Sequence, residues 1–387
     1  MKKIGILTHY YNNQNLGGLL QAYALVQVLK KYHFDAEQIS FVFQTYDGRS
    51  APVRRQLLQN HLSIKKRVLI LLHRLKAAWV RWKLRPYLSI QNKKISAFAD
   101  EIAHSTQVYT DGNISAADMH YDAFVIGSDQ VWNLDLLPHF AYYGEFVSSG
   151  KSVIAYAVSS GSKQFPALAE QLFIEKLARL NAISVREQTL KDYIERITDK
   201  KAAVVLDPTF LLSAQEWLAI ANPAPVLQKP YIFCYFLGGQ SAWQRHKAQA
   251  YADLYGYEVV HLPYITQYIR RSDSSLKGLG LWNIGPREFV TLINKAQCVF
   301  TDSFHGLAFS INLGKNFYVF NRDDKSGSDS MNARITDTLD TFGLRAQHIT
   351  DKNAELDNKP LDFTQAHHIL AQEKDKSINW LLNALKD

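Results

Sequence analysis

Lys3-Ile4-Gly5-Ile6-Leu7-Thr8 opens a unit that runs through His9-Tyr10-Tyr11-Asn12-Asn13-Gln14-Asn15-Leu16-Gly17-Gly18 into the stretch Leu19 to Tyr32. The first six residues read as a short buried strand and the next ten as a polar loop rich in Asn and Gly. The rest reads as a helix, with Leu20, Tyr23, Ala24, Gln27 and Val28 at 3–4 spacing. A loop at the carboxyl end of a strand, followed at once by a helix, is the first half of a βαβ unit. The pattern recurs. Strands are expected at 123–126, 153–158, 183–185 and 203–206, with polar exits at Gly127-Ser128-Asp129-Gln130, Ser159-Ser160-Gly161-Ser162, Arg186-Glu187-Gln188-Thr189 and Asp207-Pro208-Thr209.

Two prolines break the series between 221 and 229, and a second series begins at 231–237. Strands at 258–262, 298–301 and 317–320 alternate there with helices near 241–255, 286–296 and 307–313, and a final helix covers 364–385. This alternation implies an α/β protein of two Rossmann-like, doubly wound domains, 1–222 and 229–363, followed by a C-terminal helix at 364–387. In open sheets of this kind ligands bind outside the carboxyl ends of the strands. The strand exits are therefore where a site is expected.

The 387 residues are 47% apolar, enough to bury two cores. Cys234 and Cys298 both fall in apolar runs, which points to neither a disulfide framework nor a thiolate metal site and fits a reducing cytoplasm. The apolar stretch after Met1-Lys2-Lys3 is too short for a leader, and no run approaches the ~20 apolar residues of a spanning helix. No His, Asp and Glu set falls at metal-ligand spacing on one element.

The net charge of +8 is concentrated, since the stretch from Gly48 to Ala99 holds thirteen Lys or Arg and no Asp or Glu. Ile64, Val68, Leu71, Leu72, Leu75, Trp79 and Trp82 recur at helical spacing among Lys65, Lys66, Arg67, Arg74, Arg81 and Lys83. A basic amphipathic insertion is expected near 48–99. Its apolar stripe either packs on the protein's own core or, through 61–85, docks on an anionic bilayer surface. Nucleic acid is not indicated, because the block carries no recognition motif.

The segment Thr301-Asp302-Ser303-Phe304-His305-Gly306 leaves an apolar strand and runs straight into the helical run LAFSINLG. A helix N-terminus offers free N–H groups and a positive dipole end, which suit a phosphate or carboxylate. His305 can act there as acid or base, with Asp302, Ser303, Phe304 and Gly306 as substrate contacts; the simpler alternative is a capped helix with a loop histidine. At the exit of 123–126, Gly127 permits close backbone approach, Ser128 and Asp129 follow, and Trp132 offers a stacking face. Asp129 reads as a base or hydroxyl ligand, or as an N-cap. In the first loop Asn13, Gly17 and Gly18 resemble an anion cradle, without the lysine of a Walker loop or a GxGxxG spacing. Cationic clamps are sought at Arg186, Lys315, Arg322 and Arg334.

Taken in order, KIGILTHYYNNQNLGGLLQAYAL, YDAFVIGSDQVWN, KSVIAYAVSSGS, AISVRE, VLDPTFLLSAQEW, PREFVTLINKAQCVFTDSFHGLAFSINLGK and NARITDTLDTFGLR resemble the polysaccharide pyruvyl transferase family from residue 2 to about 345. The resemblance implies a glycosyltransferase-B-like arrangement of the two domains. It also implies transfer of pyruvyl from phosphoenolpyruvate, as donor substrate and without a cofactor, to a sugar as a ketal. The implied acceptor is a cell-envelope polysaccharide or its lipid-linked precursor. His305 matches the motif histidine and takes the acid/base role. Members of the family commonly carry an arginine two residues before it; here Ser303 stands at that position, which leaves the donor clamp to Arg186, Arg322 or Arg334. Two other readings stay open: a glycosyltransferase using a nucleotide-activated or other activated sugar, and a non-catalytic glycan-binding protein of the same fold.

Overall fold

The computed structural model describes residues 1–42, 64–133, 139–148, 150–161, 167–223, 227, 229–238, 242–263, 275–322 and 332–386. The first part of the expected basic insertion, 48–63, lies outside the described residues, as does part of the break at 221–229.

Seven parallel strands form the first sheet: β1 (Lys3–Leu7), β2 (Asp35–Val42), β3 (His104–Thr110), β4 (Ala123–Asp129), β5 (Ser152–Val158), β6 (Ala182–Val185) and β7 (Ala202–Val204), in the order β3-β2-β1-β4-β5-β6-β7. The second sheet holds β8 (Tyr231–Tyr235), β9 (Glu258–His261), β10 (Leu279–Gly280), β11 (Cys298–Thr301), β12 (Phe317–Phe320) and β13 (His348–Ile349), in the order β10-β9-β8-β11-β12-β13. Both orders step outward from one strand and then reverse, so each sheet has a switch point, between β1 and β4 and between β8 and β11. Ile4 to Leu7 pair with Ala123 to Ile126, and Cys298 to Thr301 with Ile232 to Tyr235. The strands flanking these points are nearly continuous apolar runs because helices cover both faces of a parallel sheet.

Helix α1 (Leu16–Lys31) starts three residues earlier than the periodicity suggests, so Gly17 and Gly18 belong to its first turn rather than to the loop. Asn15 caps it, its side chain accepting from the N–H groups of Gly17 and Gly18. Buried residues lie all around α1, because it is enclosed by both halves of the molecule. One apolar cluster accordingly joins Leu19, Leu25 and Val125 of the first half to Phe289, Leu307 and Phe309 of the second.

Helix α2 (Ile64–Glu101) is one 38-residue element that continues through Pro86. Its C-terminal half packs through Ile95 and Phe98 and is tied to the second half of the molecule. Lys94 Nζ lies 2.9 Å from Glu288, Arg287 meets Glu101, and Gln91 donates to the Ile284 carbonyl. Its other half differs: Leu71, Trp79 and Trp82 are exposed, so these three stripe residues do not pack on the core.

The remaining helices are α3 (Ala167–Leu177), α4 (Gln188–Ile197), α5 (Pro208–Leu211), α6 (Ala214–Ile220), α7 (Trp243–Tyr255), α8 (Pro286–Lys295), α9 (Phe304–Asn312), α10 (Ala333–Thr341) and α11 (Thr364–Ala384). The last of these returns to the first sheet. Ser377 Oγ accepts from the Leu206 N–H at 2.9 Å, Trp380 meets Tyr156, and Lys2 Nζ donates to the Leu385 carbonyl. Among the described residues no helix is long and apolar enough to cross a membrane.

Candidate active site

The exits of β4, β6, β7 and β11 converge on one guanidinium. Arg186, buried just after β6, donates from Nη1 to Asp207 Oδ2 at 2.8 Å and from Nη2 to Asp129 Oδ1 at 3.3 Å. Its flat face lies 4.6 Å from the centre of the Phe304 ring, across the boundary between the two halves. Asp207 is in turn fixed by Ser128 Oγ at 2.9 Å and by the N–H and hydroxyl of Thr209 at 3.0 and 2.8 Å. The local sequence explains the convergence. Gly127 has φ 112°, and a Cβ there would sit 2.4 Å from the Tyr156 carbonyl oxygen, so only glycine lets β4 turn this closely. Asp129 follows in the left-handed region at φ 69°, a costly conformation that its ion pair with Arg186 helps to hold.

Burial pushes the Asp129 carboxyl up, but Arg186, then His305, Arg334 and His9, outweigh it and hold the group at about 2. At neutral pH it is a fixed negative charge and a weak proton acceptor. Asp129 therefore fits poorly the role of base expected from the sequence, and it is not an N-cap. It is a counter-charge.

His305 sits in the first turn of α9 with 7% of its surface exposed. Its ring lies directly against α1: a Cβ on Gly17 would stand 2.1 Å from His305 Nδ1, so the close approach requires glycine. Nε2 is buried and has no hydrogen-bond partner among the described residues. Burial lowers its pKa, against the pull of Asp207 and Asp129, while Arg186 and Arg334 add to the lowering. The imidazole is therefore neutral near pH 7, with one nitrogen uncommitted.

Two further arginines lie nearby: Arg334, which adds to the field on His305, and Arg322, which adds to the field on Arg334; neither makes a direct ion pair among the described residues, though Asp129 and Glu187 attract Arg334 and Asp302 lies in the field of Arg322. Arg334, in the first turn of α10, is buried, and its Nε is unpartnered; Arg322, after β12, has an unpartnered Nε as well. Burial, then Arg322 and Arg186, press the Arg334 guanidinium down to about 9. Arginine keeps its proton in proteins, so this marks a charge made unfavourable first by burial and then by the neighbouring guanidinium groups, against the pull of Asp129 and Glu187, and an anion would relieve it. Glu187, next to Arg186, is buried with its carboxyl raised by burial, and Arg186 opposes the shift.

Asp129, Ser128, Gly127, Arg186, Phe304, His305, Gly17 and Arg334 are thus brought together. Other residues singled out in the sequence are placed elsewhere. Asp302 is spent on the backbone, accepting from the N–H groups of Leu237 at 2.6 Å and Gly238 at 2.7 Å. Ser303 caps α9 through the Gly306 N–H at 3.4 Å, and Gly306 packs on the Thr301 side chain. Trp132 lies in the core of the first half, stacked on Tyr143 with ring centres 5.4 Å apart and with Phe173 at its edge; its indole N–H donates to the Tyr142 carbonyl. It offers no stacking face to the cleft. Asn13 organises the first loop, donating to the His9 carbonyl and accepting from the Asn15 N–H, and Gly18 packs on its side chain. Asp207, Glu187 and His9 join the site without having been singled out. The exit Asp207-Pro208-Thr209 was the signal available for the first. Among the described residues no group of three His, Cys, Asp or Glu is placed to hold a metal ion.

Two Rossmann-like parallel sheets, each with a switch point, and a last helix crossing back give the chain a glycosyltransferase-B-like fold. The OtsA apo structure aligns over 100% of this chain and 99% of its own at 9% identity, with a TM-score of 0.52. UDP-GlcNAc 2-epimerase from Methanocaldococcus jannaschii aligns over 96% of this chain and 98% of its own at 10% identity and TM-score 0.48. MurG from Acinetobacter baumannii aligns over 100% and 99% at 9% identity and TM-score 0.41. None of the curated proteins matches the chain. The chain belongs to the polysaccharide pyruvyl transferase family, whose model matches residues 15–324.

Proposed function

We propose that the protein transfers the pyruvyl group of phosphoenolpyruvate to two hydroxyls of a sugar on an envelope glycan or its lipid-linked precursor. The observation that carries this reading is the buried Arg334 guanidinium, crowded by Arg322 and Arg186 and with an unpartnered Nε, near a neutral His305 whose Nε2 is uncommitted. A carboxylate and a phosphate on one small molecule are the groups that Arg334 and Arg322 would hold. These arginines take the place of the arginine that the family pattern puts where Ser303 stands. Arg186 is already paired with Asp207 and Asp129, so it positions rather than binds.

In the reaction, one sugar oxygen bonds to C2 of the enol phosphate while C3 takes a proton and becomes a methyl group. The C2–O bond to phosphate then breaks, and the second oxygen takes its place. Of the two hydroxyl protons, one ends on C3 and the other on phosphate. His305 Nε2 moves the proton at the attacking oxygen, and Asp129 stabilises the imidazolium that forms. Thermal-shift titration tests the donor. A rise in melting temperature with phosphoenolpyruvate that disappears in Arg334→Ala is expected. A rise with nucleotide sugars only would transfer the assignment to a glycosyltransferase.

The acceptor's membrane location is supported by α2. Leu71, Trp79 and Trp82 are exposed on a helix that carries no Asp or Glu before Asp100, and Lys83 Nζ stands 4.8 Å over the Trp79 ring. Such a face suits the inner surface of an anionic membrane, where each nearby cation adds about 1 kcal/mol and indoles settle at the interface. Co-sedimentation with phosphatidylglycerol vesicles at low salt, weakened in Trp79→Ala/Trp82→Ala, is the expected result; equal sedimentation of parent and variant would remove the indoles from the argument.

A further inference from the structure

Glu187 stands at the exit of β6, next to Arg186, with 4% of its surface exposed. Both of its carboxyl oxygens are buried without a well-formed hydrogen bond among the described residues. An ionised carboxyl left so poorly paired at that depth is expensive, and a protonated one is not. Arg186 Nε lies 3.9 Å from Oε1, and the Ser159 hydroxyl approaches from the exit of β5. Arg334 and Asp337 act on the carboxyl from α10, across the boundary between the halves. Burial raises the carboxyl, Arg186, Ser159 and Arg334 oppose the rise, and Asp337 adds to it.

Addition across the C2–C3 double bond needs two groups, one to take the hydroxyl proton and one to give a proton to C3. A neutral His305 can do only the first. The other carboxylates nearby are committed. Asp207 accepts through both oxygens from Arg186, Ser128 and Thr209. Asp129 is ionised and paired with Arg186, and Asp302 holds the N–H groups of Leu237 and Gly238. Glu187 has both oxygens open, and the same guanidinium groups link it to His305. Arg186 reaches Glu187 with its Nε and lays its face on Phe304, the residue before His305, while Arg334 acts on both Glu187 and His305. A donor held on Arg334 would cover a charge that pulls Glu187 toward its ionised form, so donor binding helps to keep the proton in place.

Resting on the pyruvyl-transfer reading above, we infer that Glu187 is the general acid that delivers the proton to C3. In the addition, the O–H bond of Glu187 breaks and the π electrons of the double bond form the new C3–H bond. The attacking hydroxyl oxygen bonds to C2 and loses its proton to His305 Nε2. The carboxylate left on Glu187 balances the positive charge that develops at C2 and is itself held by Arg186 and Arg334. The C2–O bond to phosphate then breaks with its electron pair on the phosphate oxygen, which takes the proton from His305. The second hydroxyl oxygen bonds to C2 and returns its proton to Glu187. Both groups end as they began.

Glu187→Gln keeps the size of the side chain and removes the proton. At neutral pH the infrared difference between parent and variant should contain the carbonyl stretch of a protonated carboxyl; its absence overturns the inference. A second arm supplies phosphoenolpyruvate in deuterium oxide, with methyl glycosides of glucose, galactose, mannose, N-acetylglucosamine and N-acetylmannosamine as acceptors and water as the default one. The parent should place one deuterium in the new methyl group, followed by NMR, and Glu187→Gln should slow this by roughly 10²–10⁴ while the thermal shift with phosphoenolpyruvate stays. Formate should restore part of the rate in Glu187→Gly, a rescue that a merely structural role does not give. An undiminished rate in Glu187→Gln, a thermal shift lost together with the rate, or no deuterium from a parent that phosphoenolpyruvate stabilises overturns the inference. A parent that shows the infrared band but is never stabilised by phosphoenolpyruvate keeps Glu187 as the acid of the site and rejects the donor.

Discussion

The contact between Gly17 and His305 makes a small substitution informative. A methyl at residue 17 would need the space that His305 Nδ1 occupies, so Gly17→Ala must move the imidazole. A displacement of about 1 Å at a reacting group can cost on the order of 100-fold. We expect phosphate release from phosphoenolpyruvate and acceptor to fall by about that factor in Gly17→Ala, and by roughly 10²–10⁴ in His305→Ala. An undiminished rate in either variant would remove His305 from the chemistry. Arg334→Ala should weaken donor affinity by roughly 10- to 150-fold, the equivalent of ~1.5–3 kcal/mol for a charge-assisted hydrogen bond, measured as Kd by calorimetry. Arg186→Ala belongs to another category, because it leaves Asp129 and Asp207 buried without their partner; denaturant unfolding should report a loss of about 3–5 kcal/mol. The sequence made His305, Asp129 and Arg186 legible because each stands at the exit of an apolar strand. It did not reveal that Arg186 serves two aspartates or that Asp302 serves the backbone, since those partners lie 21 to 65 positions away.

At the scale of elements, the central strands were readable because parallel strands buried on both faces leave unbroken apolar runs. The start of α1 was misread by three residues. Asn15 carried the missing signal, as a strongly preferred N-cap, but the loop's other asparagines masked it. Trp132 was read as a ligand platform because its position after β4 resembles a site exit, whereas the chain turns there and buries the ring. Among the described side chains of α2, Ile95 and Phe98 are buried whereas Leu71, Trp79 and Trp82 are exposed, a difference that no local pattern signals. The return of α11 rests on Ser377 and on apolar residues including Leu381. Leu381→Ala should cost about 2–5 kcal/mol in thermal or denaturant unfolding, the range for truncating a fully buried leucine; a loss below 1 kcal/mol would mean that the helix contributes little to the fold.

For the whole molecule, acid sensitivity has a defined sign. The folded value of His305 lies below its ordinary 6.5, so as pH falls the unfolded chain takes up a proton first. Its contribution is therefore present above about pH 6.5 and is lost as pH falls through the lowered folded value. His305→Gln should lose less melting temperature between pH 7 and pH 5 than the parent does. Asp129 acts in a different window, since its depressed value keeps its contribution complete above about pH 4 and removes it only as pH approaches 2.

The apolar cluster that runs through α1 from one sheet to the other has a consequence for how this enzyme comes apart. Each half has an apolar cluster of its own, around Trp132 and around Phe300, but the two share a third, in which Leu19 and Leu25 pack with Phe289 and Phe309. Scanning calorimetry should show one cooperative endotherm, and polypeptides ending or beginning near residue 225 should remain insoluble alone yet regain helicity when refolded together.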